Sequence, residues 1–164
     1  MSSYELHYGT GGHGGPYPSL NEAVEAAVRL IRGSPSERYI YVFDRDEMAT
    51  KTNPKAVMVV KQPYEPSKWH ALHSRFNRLQ EYTGADKSSS YVMNVIYDQD
   101  GEIGVELGTY DIADWPRSLY LGPFKDEFEA LVMTELKIIE AERVVLKEKA
   151  DDEQNEASEN KHAE

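Results

Sequence analysis

The chain contains no cysteine, which excludes disulfides, zinc–thiolate centres and thiol nucleophiles together. It has no apolar run near the roughly 20 residues a membrane-spanning helix needs. Nor does it open on a basic-then-apolar leader. A soluble, cytoplasmic protein is therefore expected. Basic residues are scarce, with 18 Lys and Arg against 29 Asp and Glu and a formal net charge of −11. A footprint on nucleic-acid phosphates needs a basic surface, so direct nucleic-acid binding is not expected. The strand aromatics also lack interleaved Lys and Arg, which speaks against a base-stacking sheet. No Gly-x-Ser-x-Gly, no His-Glu-x-x-His, no Gly-Lys-Ser/Thr and no spaced triad is present. The expectation is a protein that is not an enzyme and carries no cofactor.

A chain of 164 residues can bury a real core without staples. Its acidity is uneven. Residues 147–164 hold seven acids and three lysines, a net of −4, which leaves −7 for the rest. The expected organisation is one domain over residues 1–146, followed by an acidic tail over 147–164. That tail has almost nothing to bury and should be solvated and mobile, or frayed helix at its start. The eleven tyrosines point to interfaces, where a large, stiff, amphipathic ring is favoured.

In chain order, Tyr4–Tyr8 reads as a short strand running into glycines. Leu20, Ala23, Val24, Ala27, Leu30 and Ile31 form one helical stripe, with Ser19 as N-cap and Glu22 completing a capping box. Arg38–Asp44 and Ala56–Lys61 read as antiparallel partner strands, with a polar loop from Arg45 to Lys55. Ser67 should cap a helix carrying Trp69, Leu72, Phe76 and Leu79, the one locally basic element, with Lys68, Arg75 and Arg78 beside that arc. Tyr91–Tyr97 and Ile103–Leu107 alternate about Asp98–Gly101, a strong hairpin signal. A strand at Ser118–Leu121 leads to a long last helix capped by Asp126. The predicted fold is α+β, a single mostly antiparallel sheet of about six strands with three helices, two of them packed on the sheet. One internal echo stands out. Gly15-Pro16-Tyr17-Pro18-Ser19 through Ala23 aligns without gaps on Gly122-Pro123-Phe124-Lys125-Asp126 through Ala130, and each stretch follows a strand and opens a helix.

The candidate ligand site is the glycine run, with Gly9, Gly11, Gly12, His13, Gly14, Gly15 and Tyr17 as its residues. Gly9-x-Gly11-x-x-Gly14 has the form of a dinucleotide fingerprint. Two prolines separate it from the helix, however, and the first strand-closing acid, Asp44, comes well past the roughly 20-residue offset for a ribose contact. A flexible connector or a looser anion site remain as readings. His70 and His73, three apart on a helix, are metal candidates that lack a third ligand. The pairs Asp44/Asp46 and Asp98/Asp100 could meet a cation through oxygen but read first as turns.

The functional expectation is a non-catalytic acidic binding protein that engages another protein. It would include an inhibitor or regulator of a basic, nucleic-acid-binding target. The alternatives are a protein that binds or sequesters an anionic or nucleotide-like small molecule through the Gly9–Gly15 loop, and a self-assembling accessory homo-oligomer.

Overall fold

Strands Tyr4–Tyr8 (β1) and Tyr39–Asp44 (β3) alternate buried and exposed side chains, as strands with one covered face must. Their buried set, Tyr4, Leu6, Ile40 and Val42, is joined by Met58 and Val60 of β4 (Met58–Lys61). Helix α1 (Leu20–Gly33) packs on these strands and on β2 (His13–Tyr17). It contributes Leu20, Ala23, Val24, Ala27 and Ile31 to the core, while Leu30 lies at the stripe's margin and is exposed. The capping box forms as predicted: Glu22 N–H donates to Ser19 Oγ at 3.2 Å, and the Ser19 hydroxyl donates to Glu22 Oε2 at 3.0 Å.

A computed structural model describes residues 2–34, 37–61, 67–83 and 91–162. The chain forms two units, residues 1–65 and 66–164. The first contains a four-stranded antiparallel sheet in the order β2-β1-β3-β4. It also contains a short helix, α2 (Arg45–Thr50), where a loop was expected. Asp44 Oδ1 accepts the Asp46 N–H at 2.9 Å, and Asp46 and Glu47 in the first turn suit the helix dipole.

The second unit runs through α3 (Ser67–Asn77), α4 (Gln80–Thr83), β5 (Met93–Tyr97), β6 (Ile103–Gly108), β7 (Ser118–Phe124) and α5 (Glu127–His162). Its sheet is antiparallel in the order β5-β6-β7. The β5–β6 hairpin turns where the Asp-Gly signal placed it. Asp98 Oδ1 accepts the N–H groups of Asp100 and Glu102, both at 2.9 Å. From Ala130 to Ala141 helix α5 is buried nearly all round, because β6 and β7 pack against it, as do α3 and α4. Where a mobile tail, or helix frayed at its start, was expected from residue 147, α5 continues to His162, and every residue from Lys149 to Lys161 is exposed.

The fold class is thus α+β with antiparallel sheets, but the expected single sheet is divided into four strands and three. Each sheet has a long helix of its own to cover it, α1 or α5. The connector predicted at 85–90 and the prolines at 63 and 66 lie outside the described residues, as does the proposed cap at the Ser67 side chain.

The internal echo is structural. In both units a hairpin shifts register near its end, between Tyr4 and Leu6 in one and between Ile103 and Val105 in the other. Opposite each shift sits a glycine with positive φ, +119° at Gly15 and +115° at Gly122, followed by a cis proline. The next aromatic pairs back across the sheet, Tyr17 with Tyr4 and Phe124 with Ile103. Two residues on, Ser19 or Asp126 caps the helix, and Glu129 N–H donates to Asp126 Oδ1 at 2.8 Å. The glycines are needed for the same reason in each. A Cβ on Gly15 would lie 3.0 Å from Tyr4 O, and one on Gly122 would lie 2.8 Å from Ile103 O.

Candidate functional site

The glycine run folds as a hairpin rather than as a loop leading into a helix. Gly9, Gly11 and Gly12 make its tip, while His13, Gly14, Gly15 and Tyr17 belong to the edge strand β2. The backbone groups at the tip are engaged. Gly9 N–H donates to Tyr39 O at 3.0 Å, Gly11 N–H to Tyr8 O at 3.0 Å, and Tyr8 N–H to Gly12 O at 2.8 Å. What this hairpin offers a ligand is therefore chiefly side chains. The Tyr8 ring lies across the tip, so close that a Cβ on Gly12 would sit 2.8 Å from Tyr8 Cδ2, and one on Gly14 would meet the Tyr8 hydroxyl. Burial, then the neighbouring Tyr17 and Glu37, pushes the Tyr8 phenol above its usual pKa.

The face of this sheet that points away from the buried set collects side chains distant in sequence. Cross-strand pairing sets His13, His7, Tyr41 and Val59 in one row. Glu5 pairs with Phe43 on one side of that row, and Tyr39 with Lys61 on the other. The Tyr39 and Tyr41 rings are 6.5 Å apart and 19° from parallel. His7 meets Phe43 edge-on at 4.9 Å. Lys61 Nζ lies 5.8 Å from the Tyr39 ring centroid. At the other end, Glu5 takes Arg45 Nε at 3.7 Å and His7 Nε2 at 3.5 Å. Tyr39, Tyr41 and Val59 are each more than a third exposed. Individually these strands read as half-buried, and only the register reveals the assembled surface.

The acidity resides elsewhere. Residues 1–65 carry eight acids and seven bases, a net of −1, so residues 66–164, with 21 acids and 11 bases, carry −10. Ile96, Tyr97, Tyr110, Tyr120 and Leu146 of this unit are exposed. The locally basic helix α3 does not offset them at the surface, because its charges are matched within the unit. Arg75 makes a two-pronged contact with Glu142, 2.7 Å from Nη2 and 2.9 Å from Nε, and Lys68 Nζ lies 3.1 Å from Glu135. The Glu142 hydrogen bonds raise the Arg75 pKa against the opposing effect of burial.

His70 and His73 are both exposed on α3. Among the described residues no three His, Asp or Glu side chains cluster as metal ligands would. Among the same residues no helix is long and apolar enough to cross a membrane. Comparison of the chain with protein-family models, curated proteins and solved structures finds no match in any of the three.

Proposed function

We propose that this is a non-catalytic binding protein that engages another protein through its acidic unit, residues 66–164, and that the partner presents a basic surface. The segregation of charge carries this reading: −10 on one unit and −1 on the other. Opposite charge on a partner would steer encounter and fix orientation more than it would set affinity. The exposed Tyr97, Tyr110, Tyr120, Ile96 and Leu146 are the residue types that form the dry centre of an interface. The last turns of α5 would meet the partner's basic rim. Occupation of a basic, nucleic-acid-binding surface, and hence inhibition or regulation of its owner, is the narrower form of the proposal.

The test is affinity capture from the native host at low and high salt, with association rates measured on the captured partner. Association should slow at least about tenfold between about 50 and 500 mM salt, as expected for steered encounters. Replacing Asp151, Asp152, Glu153 and Glu156 by Asn or Gln should remove much of that salt dependence. Absence of any protein partner at low salt would sink the proposal, as would a partner whose association rate ignores salt.

A further inference from the structure

We infer that the ring-bearing face of the residue 1–65 sheet binds a short single-stranded nucleic acid. Bases would stack on Tyr39, Tyr41 and Phe43, and phosphates would lie toward Lys61 and Arg45. This is a different surface from the acidic unit.

Sequence order shows only part of the arrangement: Arg38 and Arg45 flank the β3 rings along the chain, and register adds Lys61 from a distant strand. Lys61 stands beside Tyr39 across the β3–β4 pair. Arg45 reaches the opposite end of the same face through Glu5. The three rings of β3 therefore run in a row between two cations. Alternate strand residues are about 6.7 Å apart, close to twice the 3.4 Å rise per nucleotide of a stacked strand. A chain stretched until its bases unstack can place successive bases on successive rings. Every base has a π-face, so such a platform tolerates many sequences.

Charge and size point to the occupant. Among the described residues, the cross-strand pairs of this face include one carboxylate, Glu5, which lies 3.7 Å from Arg45 Nε. Its polar groups include the Lys61 ammonium, the Arg45 guanidinium and two tyrosine hydroxyls, all of them donors that suit the acceptor oxygens of a phosphodiester chain. Four strands about 4.8 Å apart and five residues long give a plane of roughly 300 Å². A stable protein interface takes about 800 Å² per partner, so the face fits a narrow linear ligand of about three nucleotides better than a globular surface.

The experiment titrates the full chain at low salt into fluorescein-labelled single strands of about eight nucleotides, DNA and RNA, and reads anisotropy. Single strands should bind, and a duplex of the same sequence should compete poorly. Tyr39→Ala and Tyr41→Ala should each weaken binding about 5- to 100-fold, while Tyr39→Phe and Tyr41→Phe, which keep the ring, should bind nearly as the parent. Both positions are exposed, and a circular-dichroism melt confirms that each variant folds. Lys61→Ala should lower the slope of log affinity against log salt by about 0.7. The inference is overturned if single strands fail to bind, if duplex competes equally, or if folded alanine variants bind as the parent does. The same holds if a peptide, not an oligonucleotide, is the species whose binding the two alanine variants abolish.

Discussion

Substituting alanine at Gly122 separates two costs that a glycine can conceal. Gly122 has φ +115°, and a Cβ there would stand 2.8 Å from Ile103 O and 3.2 Å from Phe124 N. The backbone conformation alone should cost about 1–3 kcal/mol. Relieving the contact means parting the end of the β6–β7 pair, which adds about 1–3 kcal/mol on the scale of over-packed interiors. The expected total is about 2–6 kcal/mol. For a unit of this size each kcal/mol is about 4–8 °C, so the transition should fall by about 8 °C or more. Two glycines calibrate the series. Gly101 has φ +79° and no atom within 4 Å of the place a Cβ would take, so Gly101→Ala should cost only about 1–2 kcal/mol. Gly33 ends α1 with open space around it, and its alanine should be neutral or stabilising by up to about 1 kcal/mol. Urea melts give the energies, and hydrogen exchange shows where protection is lost. Gly15→Ala should repeat the Gly122 result, with the loss confined to residues 2–61. A Gly122→Ala variant no worse than Gly101→Ala would refute the argument from contact. A tolerated Gly15→Ala would show the two corners to be alike only in outline.

Three further outcomes are expected. A double-mutant cycle on Arg75→Ala and Glu142→Ala should return a coupling of about 1–2 kcal/mol, above an exposed pair because the contact is two-pronged and half-buried; a coupling near zero would show that the α3–α5 clasp holds nothing. Burial, with Asp111 and Glu148 adding, raises the Tyr91 pKa above 10.0. The stability this represents is complete below pH 10 and lost as pH rises through the folded value, so unfolding should ease in alkali, and Tyr91→Phe should flatten that limb in melts taken across the range. Ser19→Ala and Asp126→Ala should each cost about 1 kcal/mol, Asp126→Ala somewhat more because its charge also faces the helix dipole; equal melts for parent and variants would deny the caps any role.

Much of the local structure was legible because it is governed by near neighbours. The stripe of α1, its capping box, the Asp98 turn and the Asp126 cap each depend on residues within a few positions. The division into two sheets was not legible, since strand order is decided by which helix covers which face. The strand at His13–Tyr17 was missed because a glycine run has no alternation to read. Its pairing becomes clear only once Tyr8 is seen lying over Gly12 and Gly14. The ring row on β3 was visible as composition, with Arg45 two residues beyond Phe43, but Lys61 reaches it through pairing and not through adjacency. The signal that could have found it is the alternation itself: Tyr39, Tyr41 and Phe43 all share the parity opposite to Ile40 and Val42.

Helix α5 begins inside a core and ends in water. Its buried stretch, Ala130 to Ala141, and its exposed acidic stretch, Lys149 to Lys161, belong to one continuous rod. At 1.5 Å per residue the exposed part projects about 20 Å. A partner that grips it takes hold of a stiff handle rooted in the unit's interior, not of a tether. Little chain entropy then has to be surrendered on binding. Force applied at Asp152 would be felt at Leu136, so occupancy of the acidic end and the integrity of the core beneath it become one mechanical question.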